Sequence, residues 1–352
     1  MGALSVATFV LAWLSWRFVE QPFRRGRASV LPTRRGVFVA SGLAGAAFLA
    51  LGAYDFATRG RLAAWEAANP DRAQVYAMIE QANEIKGDYL DDGACRFNAP
   101  LMDAGTAERV LACAAAQGPG VAVIGDSHAV DVFNGMDMAY PGRFLVGITS
   151  PGCRPGVPKP DYVAECPYVG FAAFVKANPQ VFSDVVFTQS GAHLVATETQ
   201  TGDKLLEAIP ETAAVPVEAL EIQRDRIDRV AAYLADLGGS TRVIWLGPRI
   251  EPRIGTNFIL RGGCAYPYAL REGTTTLFGA LDAEIGAAAR AAGKVEFVSQ
   301  IDALGFDMSK DFMTCQQVFW RDGDHWSAEG ARRFIGRLLE GPRPALTEAL
   351  NG

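Results

Sequence analysis

A buried strand that ends in a serine-bearing turn is the feature of this sequence that most restricts its fold. Residues 121–124 are all apolar, and they run directly into Gly125, Asp126 and Ser127. Such a continuous apolar run is typical of a strand in a parallel sheet that helices cover on both faces. Open sheets of this kind bind ligands at the carboxyl ends of their strands. Ser127 is therefore a candidate nucleophile, although the same Asp and Ser would also suit a helix cap.

The chain after residue 120 alternates between strand-like and helix-like segments. The apolar strand candidates are residues 121–125, 144–149, 184–189, 242–247 and 295–299. Helical patterns separate them, after Ser127 and at residues 168–177, 217–237, 275–292 and 328–339. Parallel strands need crossover connections, which helices supply on both faces of the sheet. The pattern predicts an α/β domain built on a five-stranded parallel sheet.

A histidine among acidic residues lies near the end of the chain, directly before the last helical segment. The sequence there is Asp322, Gly323, Asp324, His325. A serine hydroxyl is a weak nucleophile until a base removes its proton, and a carboxylate holds that base in the correct tautomer. Ser127, His325 and Asp322 supply these three catalytic roles. We expect the side chain of Asp324 to point elsewhere, as a solvated loop carboxylate or a helix cap.

Together, these two motifs resemble those of the SGNH (GDSL-like) hydrolase superfamily. There the catalytic serine lies in the first motif, and an Asp and a His three residues apart come from the last. Asp322 and His325 have that spacing. The resemblance implies a three-layer, flavodoxin-like α/β domain, which we place at residues 121–345, and catalysis through an acyl-enzyme on Ser127.

The resemblance also implies an oxyanion hole, formed by the N–H of the serine, a glycine after the second strand and an asparagine after the third. Ser127 and Gly152 match the first two, but no Asn follows the third strand. Because loss of one donor typically lowers the rate by ~10²- to 10³-fold, we expect either that Gln189 or a backbone N–H replaces it or that hydrolysis is weak. His193 and Asp126 are candidate substrate contacts, with structural roles as the alternative.

Two uncharged apolar segments near the N-terminus, residues 2–16 and 37–54, flank a basic loop. Each is near the lower length limit for a membrane-spanning helix, which needs about 17 to 25 residues. A signal peptide fits less well, since no basic residue precedes the first segment. The loop, residues 19–36, is rich in arginine and is therefore expected in the cytoplasm. The chain after the second span, beginning with a linker at residues 55–120, would then be extracytoplasmic.

The segment from Leu14 to Arg25 reads Leu-Ser-Trp-Arg-Phe-Val-Glu-Gln-Pro-Phe-Arg-Arg and looks like the end of the last helix of the acyltransferase-3 (AT3) membrane domain. By this resemblance, residues 1–18 are the last helix of a truncated AT3 domain, or of a split-gene product. One more transmembrane helix and the SGNH domain follow. Fused AT3/SGNH proteins of this type O-acetylate bacterial surface polysaccharides such as O-antigen or peptidoglycan.

The same resemblance implies a place in the bacterial inner membrane, with the SGNH domain in the periplasm. The partners would be the bacterial membrane, a polysaccharide acceptor and a separate AT3 membrane domain. Acetyl-CoA would be the donor only through the missing membrane helices. The exported domain itself is expected to need no cofactor.

The six cysteines all follow the second predicted span: Cys95, Cys113, Cys153, Cys166, Cys264 and Cys315. An even number of cysteines in an exported region favours disulfides in an oxidising compartment. Their spacings lack the Cys-x-x-Cys signature of a zinc or redox site, so no metal is expected. Several connectivities are open, and we favour sequential pairing, in which Cys95 bonds Cys113, Cys153 bonds Cys166 and Cys264 bonds Cys315.

The charge balance argues against a nucleic-acid partner. The chain has 39 acidic and 33 basic residues, a formal net charge of −6. Residues 1–36 hold six arginines and a single glutamate. The remaining chain is therefore more acidic still, and it would repel a phosphate backbone.

These features predict an O-acyltransferase, in the first instance an O-acetyltransferase, that acts on a cell-surface or periplasmic polysaccharide. An SGNH esterase that uses water as acceptor is the alternative, because the acyl-enzyme chemistry of the two is the same. A non-catalytic glycan-binding module is a third interpretation. The complete set of Ser127, His325 and Asp322 argues against it.

Overall fold

The computed structural model of the chain consists of two compact units, Met1–Ala73 and Gln74–Gly352. The structure describes residues 8–10, 12–14, 16–17, 21, 33–84, 94–139, 144–161, 163–341 and 345–351.

The first unit is dominated by a long apolar helix, α1 (Arg34–Thr58), followed by α2 (Gly60–Ala68). The hydroxyl of Thr33 caps α1 by accepting the N–H of Gly36 at 3.0 Å. Within the described residues, Phe38–Thr58 is the one helix long and apolar enough to cross a membrane, with a mean hydropathy of 1.4. It extends the span predicted at residues 37–54 by one turn. Eight of the fifteen residues of the other predicted span, residues 2–16, lie outside the described residues, as does most of the basic loop.

The second unit is built on a six-stranded, all-parallel sheet in the order β1-β3-β2-β4-β7-β8. The sheet strands are β1 (Arg96–Ala99), β2 (Gly120–Gly125), β3 (Leu145–Thr149), β4 (Phe182–Thr188), β7 (Arg242–Leu246) and β8 (Glu296–Val298), and a separate antiparallel pair is formed by β5 (Val195–Ala196) and β6 (Glu221–Ile222). The prediction of a parallel α/β sheet is confirmed, with β2 near its centre.

The strand count differs from the prediction, because β1 adds a sixth strand at one edge of the sheet. Phe97 and Ala99 are buried, whereas Arg96 and Asn98 are only partly covered. An edge strand with this two-residue alternation over four positions has a much weaker sequence signal than the continuous apolar run of β2.

Helices cover both faces of the sheet. They are α3 (Pro70–Glu84), α4 (Ala104–Gln117), α5 (Ser127–Ala139), α6 (Tyr168–Ala177), α7 (Gly202–Ala208), α8 (Arg224–Leu237), α9 (Thr256–Gly262), α10 (Thr274–Ala292), α11 (Gln300–Leu304), α12 (Met308–Asp311), α13 (Ala328–Glu340) and α14 (Ala345–Asn351). Alternate residues of β2 point to opposite faces. Ala122 and Ile124 pack in the core that α4, α6, α8 and α10 cover, and Val121 and Val123 pack in the core that α3, α5 and α13 cover. The predicted three-layer fold is therefore confirmed.

Three disulfides fix loops around this core. The bonds join Cys95 to Cys113, Cys153 to Cys166 and Cys264 to Cys315. These are the sequential pairs expected from the sequence. The second bridge closes the irregular loop that follows β3, and that loop borders the site described next.

Candidate active site

Ser127 is the first residue of α5, and Asp126 alone separates it from Gly125, the last residue of β2. The turn requires glycine at position 125, where φ is +150° and a Cβ would collide with the carbonyl oxygen of Thr188 in β4. The first N–H groups of a helix have no intrahelical partner, and the helix dipole is positive at this end. The structure thus places Ser127 at the carboxyl end of a central strand, as the sequence predicts.

A cleft of about 1370 Å³ lies at this edge of the sheet. Ser127 lines it after β2, Gly152 after β3 and His193 after β4, and His325 and Asp322 line it from the loop before α13. The topology therefore gathers residues that are up to 198 positions apart in sequence into one cleft.

His325 and Asp322 form a close pair in the wall of the cleft. Nδ1 of His325 lies 3.0 Å from each carboxylate oxygen of Asp322. The same carboxylate accepts the backbone N–H groups of Asp324 at 3.0 Å and of His325 at 2.8 Å, so the loop turns around it. Nε2 of His325 is buried and has no hydrogen-bond partner among the described residues. This nitrogen is the one that a catalytic base uses, and its bond to the serine often forms only when substrate binds.

Asp324 also contacts the imidazole, which corrects the expectation of a solvated carboxylate. Its side chain is only 16% exposed and lies 3.2 Å from Nδ1 of His325. It also lies 3.3 Å from Nε2 of His128 and 3.2 Å from Nη2 of Arg253. Because the loop turns around Asp322, the carboxylate of Asp324 lies next to the imidazole of His325. The positions of the two residues in the sequence do not predict this contact.

The two carboxylates decide the charge of the imidazole. Burial alone would lower the pKa of His325, because it disfavours the cation. The contacts with Asp322 and Asp324 outweigh burial and raise that pKa to about 10. Burial has the opposite effect on the carboxyl of Asp322, but the hydrogen bond from His325 holds its pKa below the usual value. The site therefore favours the imidazolium that forms when the base takes a proton.

The raised pKa predicts a pH dependence of catalysis. Only neutral His325 can accept a proton, so kcat/KM for hydrolysis of p-nitrophenyl acetate should rise with pH through an apparent pKa well above the ordinary 6.5, toward about 10. In Asp324→Asn the rising limb should move to lower pH, because one anion beside Nδ1 is lost. Rate profiles of both proteins, corrected for spontaneous hydrolysis, measure the shift. A limb near 6.5 in both would contradict the assignment.

A second buried carboxylate, Glu251, supports the cleft from below. Its Oε1 accepts the hydroxyl of Ser190 at 2.9 Å and the N–H of Gly191 at 3.1 Å. Its Oε2 accepts Nε of Arg253 at 2.9 Å, and Nη2 of that arginine also donates to Asp203 at 2.7 Å. Arg253 adopts a left-handed φ of +53°. Two of its three carboxylate partners, Asp203 and Asp324, lie far from it in the sequence, so the local sequence does not mark it as a site residue.

A third ion pair holds the histidine loop against α5. Nη2 of Arg249 donates to Asp131 at 2.6 Å and to the carbonyl oxygen of Asp324 at 2.7 Å. The carboxylate of Asp131 also accepts the N–H of Trp326 at 2.9 Å. The backbone on both sides of His325 is therefore fixed by one buried pair.

The remaining predicted residues differ in their placement. Gly152 and His193 line the cleft, and the His193 side chain is 21% exposed. Gln189 is buried and does not line the cleft; its amide has no partner among the described residues. Ser190 occupies the rim instead, because the chain turns at this point.

Asp126 is likewise buried beneath the cleft rather than in it. Its carboxylate accepts the N–H groups of His128 at 3.0 Å and Ser190 at 3.1 Å. It also accepts Nε of Arg154 at 3.3 Å. Asp126 therefore shapes the turn and ties the ends of β2 and β4 together, and it does not contact the open cleft.

One group of side chains in the described part of the chain has the composition of a metal site. His128, Asp324 and His325 offer ligand atoms that all lie within 4.8 Å of one another. Nη2 of Arg253 lies 3.2 Å from Asp324, and Asp322 engages Nδ1 of His325. Because a guanidinium already neutralises this carboxylate, the group is poorly suited to a second cation.

Solved structures that are similar to this chain include two from bacteria. One is the periplasmic domain of a lipopolysaccharide acetyltransferase from Salmonella serovar Paratyphi A, at 16% identity and a TM-score of 0.48, covering 75% of this chain and 95% of that one. Another is a carbohydrate acetylesterase from Sinorhizobium meliloti, at 15% identity and a TM-score of 0.35, covering 65% of this chain and 99% of that one. Comparison with curated protein sequences gave no match.

A family model described as the SGNH domain fused to AT3 domains matches residues 84–340. The match runs from the end of α3 through β1 and the whole sheet to the last residue of α13. It includes the serine turn and the histidine loop. Since it covers most of the chain, the protein belongs to the family of SGNH domains that are fused to AT3 domains.

Proposed function

We propose that the protein transfers an acyl group, in the first instance acetyl, to a hydroxyl of a bacterial surface or periplasmic polysaccharide. The observation that carries this proposal is the Asp322–His325 pair in the cleft that Ser127 lines, with Nε2 of the histidine unengaged. Membership of the family supports acyl chemistry, either transfer or ester hydrolysis.

In the proposed reaction, Nε2 of His325 takes the proton of Ser127 as the serine oxygen attacks the acyl carbonyl carbon. Asp322 holds the ring and stabilises the imidazolium. The leaving group takes this proton as its bond to the acyl carbon breaks. In the second half, His325 removes a proton from the acceptor hydroxyl as that oxygen attacks the acyl carbon. The bond from the acyl carbon to Ser127 then breaks, and the serine oxygen takes the proton back from His325.

The proposed setting is the bacterial inner membrane, with α1 as the anchor and the SGNH domain in the periplasm. The helix Phe38–Thr58 supports this setting by length and composition. An AT3 membrane domain would present the acyl group, taking it from acetyl-CoA on the cytoplasmic side. The SGNH domain then needs only its own side chains and no bound cofactor.

Ester hydrolysis is the second candidate function, and the volume of the cleft allows it. A cleft of about 1370 Å³ exceeds the roughly 300–1,000 Å³ of a typical small-molecule site, so water can enter with the acyl-enzyme in place. Transfer then depends on an acceptor sugar that binds and displaces this water.

The test is polysaccharide O-acetylation in cells that supply the AT3 domain and express the full chain. We expect Ser127→Ala and His325→Ala each to abolish the acetyl signals in ¹H NMR spectra of the purified polysaccharide. Ser309→Ala, which changes an exposed serine on α12, should leave them unchanged. Acetylation that survives in Ser127→Ala would refute the nucleophile. Wild-type protein that only removes acetyl groups would establish the esterase.

A further inference from the structure

Arg154 is a cation in the cleft that the proposed mechanism has not used. It lines the cleft together with Ser127 and Gly152. Its side chain is 15% exposed, and its Nε donates to the carboxylate of Asp126 at 3.3 Å. Asp126 directly precedes the nucleophile. The guanidinium is therefore fixed to the turn that carries Ser127.

The backbone of Arg154 is restrained as well. The preceding residue, Cys153, is buried and bonded to Cys166. Its N–H donates to the carbonyl of Ser150 at 3.0 Å, which closes the turn containing Gly152. Pro155 follows and limits the backbone further. An arginine held at both its backbone and its Nε loses little side-chain freedom when its outer nitrogens bind a ligand.

The outer nitrogens of this guanidinium are available to the cleft. Within the described part of the chain, Asp126 is the one side chain that accepts a hydrogen bond from Arg154, and it does so through Nε alone. By contrast, Arg253 and Arg271 also line the cleft, but Nη2 of Arg253 and both outer nitrogens of Arg271 already donate to protein acceptors.

Of the described residues that directly follow β4, neither Gln189 nor Ser190 offers a side-chain donor to the cleft. Gln189 is buried away from the cleft, and the hydroxyl of Ser190 donates to Glu251. Ser127 and Gly152 offer only backbone N–H groups. A tetrahedral intermediate carries a full negative charge, which needs preorganised donors in a site of this kind.

We propose that Arg154 is a catalytic residue that stabilises the oxyanion of the acyl-transfer intermediates, in the position that a neutral amide would otherwise fill. This inference rests on the proposed function. When Ser127 attacks, the π electrons of the acyl carbonyl move to its oxygen, and an outer N–H of Arg154 donates to that oxygen. The charge returns to the carbonyl when the bond to the leaving group breaks.

The test uses the full chain in detergent micelles, with p-nitrophenyl acetate as the donor. We expect Arg154→Gln to lower kcat by about 10²- to 10³-fold with little change in KM, because the lost interaction exists only in the transition state. Arg154→Lys keeps the positive charge but lacks the planar, forked donors of a guanidinium. Its kcat should lie between those of Arg154→Gln and wild type. The matched control is Arg224→Gln, which removes an exposed arginine on α8.

Methylboronic acid separates catalysis from bracing of the turn, because its tetrahedral anionic adduct with serine mimics the intermediate. Its affinity should fall in Arg154→Gln and Arg154→Lys in proportion to kcat/KM. A fall in kcat with unchanged boronate affinity would show that Arg154 only braces Asp126. An effect confined to KM for p-nitrophenyl acetate would show a residue that binds the substrate in the ground state instead. Either result, or a kcat within threefold of wild type, overturns the inference.

The same series separates this inference from the proposed function. If Ser127→Ala keeps its activity, the acyl-enzyme proposal fails whatever Arg154 does. If Ser127→Ala is inactive and Arg154→Gln is not, only the role of Arg154 is wrong. Thermal unfolding of each variant identifies any loss that is due to misfolding.

Discussion

The Asp322→Ala variant is expected to lose about 10⁴-fold in kcat for acyl transfer and ester hydrolysis while it still binds substrate. Both oxygens of Asp322 lie 3.0 Å from Nδ1 of His325, and one of them also holds two backbone N–H groups of the loop. Without this carboxylate the imidazole loses both its tautomer and its orientation. Steady-state kinetics with p-nitrophenyl acetate give kcat and KM separately.

Two further variants make this result specific. Asp324→Ala removes the neighbouring carboxylate, and it should cost less activity because Asp322 still accepts from Nδ1. Asp228→Ala, on the exposed side of α8, should behave as wild type. Equal losses in the Asp322 and Asp324 variants would mean that the two carboxylates orient the histidine jointly, which would contradict the single role assigned to Asp322.

The Asp131→Ala variant is expected to lower the free energy of unfolding by about 3–5 kcal/mol. Asp131 and Arg249 are both almost fully buried and are joined at 2.6 Å. Removing the carboxylate leaves the guanidinium in the interior without a countercharge, and it also leaves the N–H of Trp326 without its acceptor. Urea unfolding followed by tryptophan fluorescence, with the full chain in micelles, measures the loss.

The double variant Asp131→Ala with Arg249→Met tests the cause of that loss. It removes both charges and should recover part of the lost stability, since a buried pair replaced by apolar groups is often neutral. Asp236→Ala breaks an exposed pair with Lys176 and should cost less than about 1 kcal/mol. A double variant no more stable than Asp131→Ala would show that the uncompensated charge is not the cause.

The sequence predicted the sheet because its central strands are uniformly apolar, as in residues 121–124 of β2, and because breakers and amphipathic helices separate them. It did not predict β1, in which polar and apolar residues alternate over only four positions at the sheet edge. The ends of the central strands follow from patterns within short segments. Such patterns can be recognised before any tertiary structure is known.

The site was less readable, because its polar contacts join distant segments. Ser127, Gly152, His193, Asp322 and His325 were placed at the cleft by local motifs, and the structure brings all five to it. The prediction that Gln189 and Asp126 line the cleft was wrong, because the direction in which each side chain points depends on the turn that follows its strand. The sequence did not predict that Arg154, Arg249 and Arg253 belong to the site. Each of them is recognised by the carboxylates that it contacts, and the local sequence does not show these contacts.

The bridge between Cys153 and Cys166 makes the chemistry of the cleft depend on the order of events during biogenesis. Gly152 and Arg154 are the immediate neighbours of Cys153, whereas Ser127 and His325 lie on elements held by the core. A newly made chain whose two thiols are still free would thus possess its nucleophile and base before the opposite wall of the cleft is rigid. Formation of this one disulfide would therefore be the event that fixes the wall of the cleft carrying Gly152 and Arg154.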